Sequence, residues 1–179
     1  GSPADGTLKE LTLPNIALNR PYIAEMDAAA GTYYPQNPDS GNELTDGVMG
    51  NATSYLDAPW TGFYNAEGVT ISFDLGETAT IYSVRTHAFT TVIDGITPPN
   101  TYTVQISNDG IRWETVYDDQ SATGKDWLIY RSSDGVRARF VRIYLKTGLF
   151  LFLDEIEILG TGGKELEPEP DPDTLANQA

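Results

Sequence analysis

The sequence predicts an all-β protein, an antiparallel β-sandwich, and three observations carry that reading. No stretch holds a sustained 3.6-residue apolar period. Val69–Leu75 alternates cleanly, with Val69, Ile71, Phe73 and Leu75 on one face and Thr70, Ser72 and Asp74 on the other. Around eight short stretches of this kind follow one another, divided by turn signals.

In chain order, residues 1–13 read as tag and linker, Gly1-Ser2 resembling a protease-cleavage scar, and residues 14–160 as the domain. Asn15–Ala24 reads as a short opening strand, with Pro21 confining it to an edge or to the strand's start. Met26–Ser40 is a polar, Pro-containing loop that carries Tyr33 and Tyr34, and Glu43–Tyr64 is a second, longer loop. Gly76 is expected to end the Val69–Leu75 strand. Thr80–Ala88 alternates next, with Ser83, Arg85 and His87 outward, and Gly95–Asn100 is a rigid turn. Thr101–Ser107 and Arg112–Val116 form a hairpin about Asn108-Asp109-Gly110. Trp127–Arg131, Ala138–Leu145 and Phe152–Leu159 complete the set. Residues 161–179 become Gly-rich and then Glu167-Pro-Glu-Pro-Asp-Pro-Asp173, an acidic Pro linker too poor in apolar residues to fold, which suggests covalently linked neighbouring domains.

Composition narrows the function. The 179 residues suit one domain plus tails, and 40% hydrophobic content is enough for a core. No apolar run approaches the ~20 residues of a membrane span, so membrane insertion is not expected. Formal net charge is −15, of which residues 164–179 contribute −4. Nucleic acid and anionic membrane surfaces need positive charge and are poor partners. A neutral ligand or a cation fits better, and the acidity favours a neutral or amino-bearing glycan over an anionic one. The chain has no Cys, which excludes disulfides, thiol catalysis and Cys-ligated metal centres.

The long loop holds the candidate chemistry. Asp46-Gly47 forces a turn. Glu43, Thr45, Asp46, Asn51 and Thr53 crowd oxygen atoms at one end, as a hard cation requires. Tyr55, Trp60, Phe63 and Tyr64 crowd rings at the other, as a sugar face requires. The alternative is an acidic surface loop whose aromatics pack on the core. Trp113, directly after the Asn-Asp-Gly turn, reads as structural.

The ordered pieces resemble a family. Asn15-Ile-Ala-Leu-Asn-Arg-Pro21, Leu44-Thr-Asp-Gly47, Ile71-Ser-Phe-Asp-Leu-Gly76, Ile81-Tyr-Ser-Val84, Val104–Trp113, Ala138–Ile143 and Phe152-Leu-Asp-Glu-Ile-Glu-Ile158 are similar to the F5/8 type C (discoidin-like) domain. They are most similar to bacterial family 32 carbohydrate-binding modules, of the galactose-binding-like fold. The resemblance covers roughly residues 15–160. It implies an eight-stranded jelly-roll sandwich, a structural Ca²⁺ and sugar binding by loops at one end. It implies, as calcium ligands, the Asp46 side chain, the Glu43 and Val48 carbonyls, a side-chain oxygen of Asn51 or Thr53, the Asp154 carbonyl and Glu155. The family's usual Thr stands five residues after the Asp, where this chain has Asn51. For the sugar it points to Trp60, Phe63, Tyr64, His87, Trp127 and Phe150, with Arg85 as a hydroxyl donor; His87 and Arg85 read equally well as packed or ion-paired surface residues. It also implies a secreted or cell-surface bacterial location and a carbohydrate partner.

Catalysis is not expected. There is one His, no Gly-x-Ser-x-Gly elbow, no His-Glu-x-x-His zinc motif and no phosphate-cradling Gly loop after a strand. With 26 acids no carboxylate pair is singled out. The expected function is a non-catalytic carbohydrate-binding module of a larger glycan-active protein, with an adhesion module or a structural spacer as the alternatives.

Overall fold

The computed structural model describes residues 12–167. Most of the tag-and-linker reading at 1–13, and the Pro-rich run from residue 168 onward, lie outside the described residues. Among the described residues there are eight strands: β1 Ile23–Met26, β2 Thr32–Tyr33, β3 Thr61–Tyr64, β4 Gly68–Ala88, β5 Tyr102–Ser107, β6 Glu114–Asp119, β7 Trp127–Lys146 and β8 Phe150–Gly162. Every pair of neighbouring strands is antiparallel. No described helix is long and apolar enough to cross a membrane.

The two long strands make the sandwich. The first half of β4 pairs with β1 and with the second half of β7, which in turn pairs with β5, and β5 with β6. The second half of β4 pairs with the first half of β7 and with β8, which continues through β3 to β2. One continuous ladder therefore folds over on itself as two layers. The fold-over sits at register shifts between Asp74 and Ala79 and between Ile81 and Ser83, where bulges bend a strand and raise its twist. Gly76 lies in the first shift at φ +80°. It turns the strand rather than ending it, so the two strands expected on either side of it are one. Likewise the Trp127–Arg131 and Ala138–Leu145 strands are two halves of β7, bent near Gly135 at φ +80°.

Alternation placed the core correctly in Val69–Leu75, Thr101–Ser107 and Ala138–Leu145; in Thr80–Ala88 the shift between Ile81 and Ser83 buries Ser83, expected outward, and leaves Tyr82 half-buried. Val69, Ile71, Phe73 and Leu75 meet Val141, Ile143, Leu145, Val104 and Ile156 between the layers. The opening segment differs from expectation. Asn15 makes only an isolated bridge to Leu159, and residues 16–19 turn, with Asn19 at φ 58°. The strand begins at Ile23, two residues after Pro21, whose missing N–H suits a position outside the ladder. β3 emerges from the end of the long loop, and β8 stays paired through Gly162. Beyond it, Lys164 N–H donates to the Leu75 carbonyl and Arg20 donates to the Lys164 carbonyl, so the sandwich extends a few residues past 160.

Candidate functional site: an aromatic pocket beside an acidic loop

A second apolar cluster, separate from the sandwich core, sits at the end where β3, β4 and β8 meet the long loop. Trp60, Phe89, Ile96 and Phe152 are its buried members, with Tyr34, Tyr55 and Phe150 packed half-exposed around them. Phe150 and Phe152 are two apart on β8, so the period of two sets both rings on one face, stacked at 6.3 Å. Tyr34 meets both edge-on, at 5.6 and 5.9 Å. Tyr55 reaches Phe152 at 5.2 Å and Phe89 at 6.0 Å. Aromatic pairs at such distances hold one another in fixed orientations.

These rings wall a pocket of about 220 Å³, lined by Tyr34, Tyr55, Ile96, Phe150, Phe152 and Asp94. The Tyr55 hydroxyl donates to Asp94 Oδ2 at 2.8 Å across its mouth. Tyr55 is correspondingly a weaker acid than a free tyrosine, chiefly through that bond. The turn that presents Asp94 holds it at φ 54°, with Gly95 next at φ 82° and an Ile96–Phe150 bridge behind it. The result is flat apolar surface beside a fixed carboxylate and hydroxyl, which is the make-up of a small polar-ligand site.

Among the residues expected to touch sugar, Phe150 lines this pocket and Tyr64 lies beside it, 5.0 Å from Phe150 and 36% exposed. Trp60 and Phe63 do not. Both are 0% exposed, because the long loop folds down over the sheet instead of standing away from it. Trp60 donates from Nε1 to the Asn51 carbonyl at 3.0 Å and anchors that loop. Phe63 sits on β3 in the sandwich core.

His87 occupies the outward face of β4, as expected, but that face is covered and His87 is buried. Its ring lies between Trp60 at 5.5 Å and Trp127 at 4.7 Å, and Nδ1 meets Asp154 Oδ1 at 2.7 Å. Trp127 is half-buried against it, with the Arg85 guanidinium 4.8 Å from the Trp127 ring and Arg85 Nε 3.2 Å from Glu157. His87, Trp127 and Arg85 therefore form a packed and ion-paired patch apart from the pocket. The pocket residues missing from the sequence reading are Tyr34, Asp94, Ile96 and Phe152, with Tyr55 noted only as a loop aromatic. Two signals were present: the i, i+2 spacing of Phe150 and Phe152, and the Asp94-Gly95 turn.

The acidic end of the loop meets β8 at a bulge. His87 pairs with Glu155 and Ala88 with Leu153, so Asp154 is an extra residue. That extra residue lets Asp154 and Glu155 both engage the loop: Gly50 N–H donates to Asp154 Oδ2 at 2.8 Å, and Gly47 N–H to Glu155 Oε1 at 2.9 Å. The Glu155 carboxyl is buried and in hydrogen-bonding contact with Asp46. Burial first, then the Asp46 carboxyl, push its pKa up to about 9. A buried carboxyl set beside a second, partly exposed one calls for a shared proton or a cation.

Of the other expected calcium ligands, the Glu43 and Val48 carbonyls accept no hydrogen bond among the described residues, whereas those of Asn42, Leu44 and Thr45 are taken by Thr45, Ile156 and Asn19 N–H. The Glu43 carboxylate turns to Ser40 and Asp39; against the opposing cost of burial, hydrogen bonding with Asp39 first and then with Ser40 holds it down at about 2. Asn51 Oδ1 accepts from both the N–H and the hydroxyl of Thr53, at 2.9 and 2.8 Å, so these two side chains satisfy each other. No three His, Asp or Glu side chains converge as a metal cluster among the described residues. A cation here would take Asp46 and Glu155 and fill its shell from carbonyls, a donor mix that suits Ca²⁺.

Comparison with known proteins completes the description. The family model for the F5/8 type C domain matches residues 28–152. Among solved structures, CpGH89CBM32-6 produced by Clostridium perfringens is 22% identical, covering 83% of this chain and 100% of its own, at a TM-score of 0.59. A chitosan-binding module 2 in complex with chitotriose, from a chitosanase/glucanase of Paenibacillus sp. IK-5, is 25% identical over 82% of this chain and 100% of its own, at a TM-score of 0.56. A Streptococcus pneumoniae fucose binding module, SpX-3, is 18% identical over 84% of this chain and 100% of its own, at a TM-score of 0.60. The comparison with curated proteins finds no match.

Proposed function

From the premise that this chain belongs to the F5/8 type C domain family, we propose that it is a non-catalytic carbohydrate-binding module. In this reading it tethers a larger, secreted bacterial glycan-active protein to its glycan. The single observation that carries the reading is the loop-end pocket, where Tyr34, Tyr55, Phe150 and Phe152 present ring surface around the Tyr55–Asp94 hydrogen bond. A pyranose has an apolar C–H face and a rim of hydroxyls. The face would lie on Phe150 or Tyr34, and the Asp94 carboxylate would accept from ring hydroxyls. At about 220 Å³ the pocket is smaller than the ~300–1,000 Å³ clefts that enclose drug-sized molecules, so it suits one terminal sugar. Several similar structures are themselves described as binding chitosan, chitotriose or fucose, which supports the class without naming the sugar.

Calcium is the second part of the proposal. Asp46 and Glu155, with the Glu43, Val48 and Asp154 carbonyls, would hold the ion. Its role is structural: it neutralises the paired carboxyls and fastens the long loop to β8.

A glycan array probed with the wild type, Phe150→Ala and Tyr55→Phe tests the reading. Binding to one glycan class that Phe150→Ala abolishes, with melting unchanged, supports it. An empty array overturns it. Adhesion to a protein surface would then lead, since Val92 is 76% exposed and Ile93 and Leu149 also stand out at this end.

A further inference from the structure

A larger concavity lies elsewhere. It is a groove of about 560 Å³ on the outer face of the β1–β4–β7–β5–β6 layer, lined by β1 and the residues just before it, β4, β7 and the turn between β5 and β6, and it shares no lining residue with the loop-end pocket. We propose that this groove is a second glycan site, one that takes a neutral polysaccharide chain laid across the strands.

The register carries the inference. Ile23 of β1 stands opposite Ser72 of β4, Ser72 opposite Arg142 of β7, Arg142 opposite Gln105 of β5, and Gln105 opposite Thr115 of β6. Five side chains thus form one row across five strands, four of them able to hydrogen-bond: Ile23, Ser72 and Arg142 line the groove, and Gln105 and Thr115 continue the row beyond it. Neighbouring strands are ~4.8 Å apart, close to the length of one pyranose residue. A chain of sugars crossing the strands would therefore meet one polar side chain per residue.

The row is already ordered. Arg142 Nε donates to Gln105 Oε1 at 2.6 Å, and Gln105 Nε2 donates to Thr115 Oγ1 at 2.9 Å. The Arg142 guanidinium lies 4.1 Å from the Trp113 ring, and Trp113 packs edge-on to Phe140 at 6.5 Å. Side chains fixed before binding lose little entropy when the ligand arrives. Trp113, expected in the core from the sequence, is instead half-exposed on the wall of this groove.

Charge selects the ligand class. Asp74 at the groove edge is held bidentately by Arg139, at 2.9 and 3.0 Å. What remains is one cation, Arg142, and one acid, Glu25, so the groove is locally balanced. The body's excess of acid repels polyanions, and one carboxylate beside an Arg offers little to a polycation. A neutral, hydroxyl-rich chain matches the row better than a protein face, which would call for a continuous apolar patch.

Affinity electrophoresis tests the proposal, using gels containing β-glucan, galactomannan or arabinoxylan, with alginate and chitosan as charged controls. The proteins are the wild type, Trp113→Ala, Phe150→Ala and Ser72→Tyr. The last fills the groove from an outward strand position, where Tyr is well tolerated, and so keeps the test valid if Trp113→Ala fails to fold. The expected result is retardation of the wild type and Phe150→Ala by at least one neutral polymer. Affinity should fall about tenfold or more in Ser72→Tyr and Trp113→Ala, as when one aromatic anchor is lost or blocked. Three results overturn the proposal: no neutral polymer retards the wild type, retardation is unchanged in Ser72→Tyr, or it is lost only in Phe150→Ala. The last would credit the loop-end pocket alone, so this proposal and the preceding one fail separately.

Discussion

The loop-end pocket and the sheet-face groove are both lined with rings, but they are built in opposite ways. The pocket is assembled from residues 34, 55, 94, 96, 150 and 152, brought together by loops that rest on a buried aromatic cluster. The groove is written into strand register, where Ser72 and Arg142 face outward because their neighbours face inward. The pocket can therefore be lost by disturbing its support, whereas the groove changes only when its own side chains change. That difference orders the predictions.

The largest effect is expected at the support. Trp60→Ala removes a fully buried ring that packs on His87 and Phe89 and anchors the loop through Asn51. It should cost about 3–5 kcal/mol in denaturant unfolding and abolish pocket binding with it. A loss below about 1 kcal/mol would mean that the loop does not rest on Trp60.

Calcium comes next. At a free concentration a hundredfold above its dissociation constant, an ion bound only by the folded state adds about 2.7 kcal/mol, or about 5–10 °C in Tm at this size. Chelation should lower Tm by that amount in the wild type and have no effect on Glu155→Gln. Equal melting with and without chelator in the wild type would remove calcium from the description.

Within the pocket, Tyr55→Phe should weaken sugar binding about two- to tenfold, the worth of one hydrogen bond, without changing Tm. Such a split would show that Tyr55 contributes through its hydroxyl rather than its packing.

The smallest effect is expected at the groove's edge, in the exposed Asp74–Arg139 pair. The Arg139 hydrogen bonds hold the Asp74 carboxyl below its ordinary value, against a small opposing cost of burial. A carboxyl lowered in the fold binds its proton more readily when unfolded, so its contribution is present above pH ~4 and is lost as pH falls through the folded value. Because the pair is solvent-screened, Arg139→Ala should move Tm at pH 7 by no more than about 1–2 °C, and by less at pH 3.

Much of the fold was legible because a period of two is a local property. Val69–Leu75 and Thr101–Ser107 were placed on their strands with the correct inward faces, whereas in Phe152–Leu159 the bulge at Asp154 changes the phase: Ile156 and Ile158 share the core face with Leu151 and Leu153, and Phe152 faces the second cluster. What local patterning could not supply was continuity. β4 and β7 each looked like two strands, since a bulge or a Gly at positive φ interrupts alternation whether or not the ladder resumes beyond it. The pocket was legible only in part. Phe150, singled out through its place before Asp154, does line it. Trp60 and Phe63 were named as sugar candidates with packing on the core as the alternative, and they are buried; nothing in a loop's sequence says whether it stands off the sheet or lies on it. Trp113 was misread the other way, since an aromatic after a hairpin turn can pack on either side of the strand it leads into.

The most direct test of the central claim, that sugar binds in the loop-end pocket, is side-chain NMR of the aromatic rings. Wild-type protein would be titrated separately with galactose, N-acetylglucosamine and fucose. Saturable shifts of the Tyr34, Tyr55 and Phe150 ring signals with at least one sugar, while Trp113 stays unmoved, are the predicted result. Unmoved rings in all three titrations, or shifts confined to Trp113 and Phe140, would contradict it.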